Sequence, residues 1–171
     1  MATSRSNSRA SNAARTEILT RLKEDHKRVR KANRDFKKLD VAKQPEEVEA
    51  IVRQVVSELQ VHAALEEELL YPAAREAIKE EDLIDKAEVE HEFIGELVGQ
   101  LNEMGPDDEK YAARFTVLCE YVLHHVKEEE GKMFPQLEKV RLDWVALAAK
   151  MDQLRADFES GVEDPASRPL V

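Results

Sequence analysis

The feature that most limits how this 171-residue chain can fold is a pattern that occurs twice. The segments 62–72 and 125–135 each begin with a histidine, carry a glutamate four residues later and end with an aromatic residue followed by proline. Apolar residues at three- and four-residue spacing lead into each histidine, which is typical of a helix with one buried face. His26 precedes the first copy and His91 the second at similar distances. The repeat therefore predicts two similar helix pairs.

The apolar spacing, together with residues that start or stop helices, predicts four principal helices. Their expected bounds are residues 16–39, 45–71, 83–104 and 106–134, with a short helical stretch as far as residue 79 and a fifth amphipathic segment at 136–159. Pro45 suits a first helical position, whereas Pro72, Gly105 and Pro135 mark helix ends. The predicted fold is an all-α, up-down-up-down four-helix bundle with an additional C-terminal helix, formed by residues 16–160.

Both ends of the chain differ in composition from the predicted bundle. Residues 1–15 are rich in Ser, Arg, Ala and Asn and contain no acidic residue, which predicts a disordered tail. Residues 161–171 contain Pro165 and Pro169, and we expect a flexible C-terminal tail there.

Composition excludes several classes of protein. Cys119 is the single cysteine, so an internal disulfide is excluded, and with no signal-like apolar segment we expect a reducing, cytoplasmic setting. No run of about 18 apolar residues is present, which argues against a membrane span. The net charge of −10 argues against nucleic acid as the main partner. The sequence identifies no protein partner.

Each predicted apolar stripe is interrupted near its middle by residues of metal-binding type. These residues are His26, His62, Glu66, His91, His125 and Glu129. Burying an unpaired carboxylate costs on the order of several kcal/mol, so carboxylates and imidazoles at one level of a core are tolerable when they share cations. Residues four apart lie on one helix face, so each His-x-x-x-Glu pair presents both side chains to a common point. A satisfied core histidine explains any one position, but the set as a whole predicts a two-metal site.

The apolar spacing of the fourth helix predicts that His125, and not the adjacent His124, faces the core. His125 and Glu129 continue the stripe formed by Phe115 and Val122, so we expect His124 on a flank of the helix. Other side chains near the ligands are candidates to orient a histidine or, for the tyrosine, to donate a hydrogen bond to a metal-bound group. These candidates are Tyr121, Glu67, Glu90 and Glu130, together with Asp25 and Glu92, which also flank candidate ligand histidines. The alternative for each is an exposed position or, for the tyrosine, the rim of the core.

Imidazole together with carboxylate suits iron, and also Zn or Mn. The chain has no set of thiolates for structural zinc. Six protein ligands, with one or both carboxylates shared between two metals, leave positions open for a small exogenous ligand. The order His-x-x-x-Glu differs from the Glu-x-x-His of ferritin-like proteins.

These motifs resemble the hemerythrin-like family, also called the HHE cation-binding domain. The resemblance is carried by Asp25-His26, the segment 62–72, Glu90-His91-Glu92 and the segment 125–135. It implies a left-handed four-helix bundle holding two iron ions, bridged by an oxo or hydroxo group, that binds O2. Oxygen carriers of this family have a second histidine one turn from the one matched by His91, where this chain has Ala87 and Gly95. They also have a longer spacing on the last helix, which typically ends in Asp.

The chain is therefore more similar to six-ligand members associated with sensing iron and oxygen, or with peroxide or nitric oxide chemistry. Our first hypothesis is a di-iron protein that binds O2 or senses oxygen or iron. The second is a di-iron enzyme that reduces peroxide or removes nitric oxide. A structural metal-binding bundle is the third. No acid–base group beyond the ligands stands out in the sequence, which favours binding over catalysis.

Overall fold

The computed structural model describes residues 2–80 and 82–161, and all regular secondary structure in this part is helical. The helices are α1 (Ala2–Phe36), α2 (Pro45–Leu65), α3 (Tyr71–Arg75), α4 (Asp82–Glu103), α5 (Tyr111–Glu128), α6 (Phe134–Leu137) and α7 (Trp144–Glu159). A π-helical turn at Glu66–Leu70 joins α2 to α3, and another at Glu129–Met133 joins α5 to α6. The predicted all-α class is confirmed.

The helices α1, α2, α4 and α5 form the bundle. Helix α1 packs against α2 and α5, and α4 packs against the same two helices from the opposite corner. Short connections make consecutive long helices antiparallel, as expected for an up-down-up-down bundle. Helix α7 packs along α1 and α2 and is the predicted additional helix. In the described part of the chain, no helix is long and apolar enough to cross a membrane.

The core consists of two apolar clusters at different levels of the bundle. One contains Leu22, Leu70 and Trp144, and the other contains Val29 and Phe115. Leu22 and Val29 lie on the same helix, on either side of His26, so a buried polar level separates the two clusters. The predicted interruptions of the apolar stripes lie at this level.

Helix α1 begins at Ala2, whereas the sequence predicted a disordered tail over residues 1–15. Residues 2–36 contain neither Gly nor Pro, so no residue in this stretch ends the helix. Ala14 packs against a core cluster, and Arg15 Nη1 donates to the backbone oxygen of Glu138 at 2.7 Å. These contacts join α1 to the bundle from Ala14 onwards. The tail expected beyond Gly161 lies outside the described residues.

The last bundle helix begins later than the sequence predicted. We expected it to start at Pro106, but α5 starts at Tyr111. The Asp108 carboxylate accepts a hydrogen bond from the Gly105 N–H at 3.0 Å, and the Asp108 backbone oxygen accepts one from the Tyr111 N–H at 3.0 Å. These bonds close a turn in place of the first helical turn.

The predicted fifth segment, 136–159, is divided by a connection between α6 and α7. Helix α7 begins at Trp144, because the Asp143 carboxylate caps it by accepting a hydrogen bond from the Ala146 N–H at 3.1 Å. The buried Trp144 then packs α7 onto the bundle.

Candidate metal centre

A π-helical turn begins at each glutamate of the repeat. The N–H of Tyr71 donates to the backbone oxygen of Glu66, and the N–H of Phe134 donates to that of Glu129, each spanning five residues. The following residue is proline in both cases, which has no N–H and clashes with the carbonyl four residues earlier in a regular helix. A wider turn therefore carries the chain into the proline, and such turns are frequent at functional sites.

The structure brings all six predicted ligands together in the core, and each is at most 6 % exposed. The four histidines form two pairs. In the N-terminal pair, His26 Nε2 lies 3.3 Å from His62 Nε2. In the C-terminal pair, His91 Nε2 lies 3.0 Å from His125 Nε2. All four Nε2 atoms therefore point into one level of the bundle.

Each glutamate of the repeat lies between the two histidine pairs. Glu66 Oε2 is 3.2 Å from the Nε2 of His62 and 3.5 Å from that of His91. Glu129 Oε2 is 3.4 Å from one Nε2 atom of each pair. Two metal ions, one at each pair, would therefore share both carboxylates.

The donor atoms fit such a metal pair. Glu66 Oε1 and Glu129 Oε2 are buried and have no hydrogen-bond partner, which is costly unless a cation compensates them. The candidate ligand atoms form two groups, and within each group all atoms lie within 4.8 Å of one another. Glu66 belongs to both groups. The groups are His26, His62, Glu66 and Glu129, and Glu66, His91 and His125. Nitrogen and oxygen donors of this kind suit first-row divalent metals.

The Nδ1 atom of every ligand histidine faces a carboxylate. The pairs are His26 with Glu130 at 2.9 Å, His62 with Asp25 at 3.3 Å, His91 with Glu67 at 2.8 Å and His125 with Glu90 at 2.9 Å. A proton held on Nδ1 by a carboxylate leaves the Nε2 lone pair for a metal. All four of these carboxylates are among the orienting candidates that the sequence predicted.

Tyr121 does not reach the cluster. Its side chain is exposed and its ring lies 6.3 Å, centroid to centroid, from that of Phe93. His124 is also exposed, with its Nε2 3.6 Å from Glu90 Oε1, so it lies on the flank that the register predicted. Neither side chain contacts the six clustered residues.

Tyr71 is the residue that the sequence analysis missed. It is fully buried, and its hydroxyl donates to Glu129 Oε1 at 3.0 Å and lies 3.3 Å from both Glu66 Oε2 and His91 Nε2. In a regular helix, the fifth residue after Glu66 points about 140° away from it, but the π-helical turn returns that residue to the same face. The repeat carried a signal, because it aligns Tyr71 with Phe134, which has no hydroxyl.

Two histidines of the metal-free cluster, His62 and His125, have raised pKa values. Burial lowers the pKa of His125, but the carboxylates of Glu129 and Glu90 outweigh burial and raise it to about 10. Burial lowers the pKa of His62 too, but Glu66 and Asp25 raise it well above its usual value. Metal ions bound at Nε2 would displace these protons, which couples binding to pH.

Comparisons with known proteins agree with this geometry. The family model described as Hemerythrin HHE cation binding domain matches residues 17–137. A curated DNA nickase from Nostoc sp. is 28 % identical over 113 residues, which is 66 % of this chain and 31 % of that protein. The chain therefore spans about a third of that relative's length.

A solved structure supports the fold. It is that of a hemerythrin HHE cation-binding domain-containing protein from Mycobacterium kansasii, which is 24 % identical to this chain. The similarity covers 87 % of this chain and 93 % of the other, with a TM-score of 0.66. At this identity, the likeness concerns the path of the helices.

Proposed function

Because the chain belongs to the hemerythrin HHE cation-binding domain family, whose model covers residues 17–137, we propose that it binds two iron ions and, through them, O2 or a similar small molecule. Its role would be to bind O2 or to sense oxygen or iron. The observation that carries the proposal is the arrangement of two histidine pairs with both glutamates between them. Zn or Mn would suit the same donors.

The chain leaves room for a small ligand beside the histidines. A cavity of about 20 Å³ adjoins all four of them, which is enough for one water-sized molecule. Its walls include Val29, Leu59, Ile94 and Val122, so the space is largely apolar. A non-polar diatomic molecule such as O2 fits this lining better than a charged metabolite does.

The buried residues around the cluster would hold the metals rigidly. The outer carboxylates fix the imidazole rings, and the apolar walls keep bulk water away from the ligand atoms. Two bound iron ions would supply the electrons for reaction with O2, peroxide or nitric oxide.

The hydroxyl of Tyr71 favours a second candidate, a di-iron enzyme that reduces peroxide or removes nitric oxide. It is a buried O–H group, 3.0 Å from Glu129 Oε1 and outside the His/Glu ligand set. A proton donor at this place would serve peroxide reduction, where oxygen leaves as water.

The test of the proposal is metal analysis with absorption spectroscopy on protein loaded with iron under anaerobic conditions, before and after air. We expect about two irons per chain and a new near-ultraviolet band on exposure to air. The variant His125→Ala should lose iron, whereas His124→Ala, which removes the neighbouring exposed imidazole, should retain it. One metal or none in the wild type would contradict the two-metal site.

The same samples distinguish the functional candidates. A long-lived oxygen adduct without turnover supports binding or sensing. Rapid, repeated consumption of peroxide or nitric oxide supports the enzyme. Two bound metals with no response to oxygen, peroxide or nitric oxide would favour a structural metal bundle.

A further inference from the structure

An exposed apolar patch covers the outer face of α4 and α5. It consists of Val89 (48 % exposed) and Phe93 (52 %) on α4, and Val117 (38 %) and Tyr121 (46 %) on α5. The described residues include two other large apolar side chains of comparable exposure, Val41 and Val145. On a chain with 36 % charged residues, clustering of this kind marks an interaction surface.

Contacts between α4 and α5 define their relative register. Lys86 Nζ lies 3.2 Å from Glu128 Oε2 at one end, and the Arg114 Nε donates to Gln100 Oε1 at 2.6 Å towards the other. Between these contacts, the rings of Phe93 and Tyr121 lie side by side. The apolar patch therefore runs along the groove between two antiparallel helices, with its two rings at the same level.

Charged residues of both signs flank the apolar patch. The exposed charged or titratable residues of α4 are Asp82, Asp85, Lys86, Glu92, Glu96 and Glu103. Those of α5 and the turn before it are Asp107, Asp108, Glu109, Lys110, Glu120, His124 and Lys127. Glu103 and Lys110 lie at the same end of the two helices and form no ion pair within the described residues. Helix α4 is thus mostly acidic, and its Glu103 lies level with a lysine at the start of α5.

We propose that this face binds a second copy of the chain in a two-fold symmetric dimer. A two-fold axis parallel to the helices places α4 of each copy opposite α5 of the other, with equal levels facing each other. Phe93 then meets Tyr121 of the other copy twice, and Glu103 faces Lys110 twice. The two facing Glu103 and Lys110 pairs have opposite charges, which favours association of two copies in this orientation.

The face is large enough for such a dimer. Helix α5 has 18 residues and is therefore about 27 Å long, and each helix is about 10 Å wide. The paired face offers roughly 500 Å² per copy, so a dimer would bury roughly the 1,000 Å² that a specific interface needs. The dimer should form with modest affinity, because the area is at the lower end of this range.

The test is sedimentation equilibrium of the full-length, iron-loaded chain over a range of concentrations. We expect the wild type to approach twice the 19.5 kDa mass of one chain. Phe93→Glu should raise the dimer dissociation constant by at least roughly tenfold. The matched control is Val145→Glu, because Val145 is equally exposed but lies on α7, and this variant should associate like the wild type.

Exchanging the two facing charges tests whether the molecule bound at this face is a second copy of the chain. Glu103→Lys alone should weaken association by a few-fold, and adding Lys110→Glu should restore it. A monomeric wild type at high concentration would overturn the proposal, as would equal effects of Phe93→Glu and Val145→Glu. Iron content measured on the same samples should be the same in all variants, so this test is independent of the metal proposal.

Discussion

The two histidine pairs share a ligand pattern but differ in what surrounds them. In the N-terminal pair, arginines hold the outer carboxylates: both Nη atoms of Arg30 donate to Glu130, at 3.1 and 2.9 Å, and Arg155 Nη2 donates to Asp25 at 2.9 Å. Arg28 also donates to Asp25. Because Arg155 belongs to α7, the additional helix supports a ligand histidine in the bundle.

The outer carboxylates of the C-terminal pair have fewer contacts with lysine or arginine side chains. A tyrosine hydroxyl lies beside this pair instead. Lys86 Nζ lies 3.4 Å from Glu90 Oε1, and Glu67 forms no ion pair with a lysine or arginine within the described residues. Tyr71 lies beside this pair, whereas its counterpart Phe134 stacks on His26 in the other, with ring centroids 5.9 Å apart. The repeat thus duplicates the candidate metal ligands but not the side chains around them, so two metal ions held by these pairs would have different surroundings.

The largest expected effect comes from removing a carboxylate that both pairs share. Glu66→Ala should reduce bound metal from about two ions per chain to one or fewer and remove the stabilisation that metal supplies. That stabilisation is about 2.7 kcal/mol when free metal is 100-fold above its dissociation constant. Metal analysis and thermal unfolding measure both quantities. The exposed Glu68→Ala is the control, and full metal content in Glu66→Ala would contradict the shared carboxylate.

Removing an outer carboxylate should lower metal affinity by a different factor in the two histidine pairs. Asp25→Asn and Glu67→Gln should each lower metal affinity roughly 10- to 100-fold, because each orients a ligand imidazole. Asp25→Asn should have the larger effect, since it also removes the carboxylate that Arg28 and Arg155 contact. Competition titrations with a chelator measure this. Equal losses would mean that the arginines add nothing to the N-terminal pair.

The hydroxyl that distinguishes the pairs should affect reactivity more than metal binding. Tyr71→Phe should retain metal and lower the rate of peroxide consumption, if there is any, by roughly tenfold or more. Its stability should fall by about 1 kcal/mol, because Glu129 loses a hydrogen bond. Stopped-flow kinetics and chemical denaturation are the measurements. Phe134→Tyr is the converse variant, and an unchanged rate in Tyr71→Phe would exclude a proton-donating role.

The two histidine pairs should also give the metal-free chain a pH dependence at opposite ends of the scale. The folded pKa of His125 is raised from 6.5 to about 10, so its contribution to the stability of the metal-free chain is present below pH 6.5 and is lost towards pH 10. Burial raises the pKa of Asp25, but His62 and Arg155 lower it from 3.8 to about 2. Its contribution is therefore present above pH 3.8 and is lost as the pH falls towards 2.

Urea unfolding of metal-free protein across pH measures both slopes. His125→Gln should reduce the alkaline loss without abolishing it, because the pKa of His62 is raised as well. Asp25→Asn should reduce the acid loss. If metal-free wild type were equally stable from pH 6.5 to 10, protons would not hold the C-terminal pair together.

The burial of the six candidate ligands at one level could be predicted from the sequence, because their spacing follows a regular helix as far as each glutamate. His62 and Glu66, four residues apart, fall on one face of any helix, and the apolar stripe shows which face is buried. The same argument predicted that His125, and not His124, faces the core. It failed at Tyr71, because a 3.6-residue period does not hold through a π-helical turn.

The amino-acid sequence by itself determined the helical class, the repeat and the six residues that interrupt the stripes, since each depends on spacing within one helix. Only the tertiary structure decided which carboxylate meets which imidazole. Glu67 on one helix contacts His91 on another, and Arg155 contacts Asp25 across most of the chain length. Such contacts depend on which helices are neighbours and at what height, and no local periodicity encodes that information.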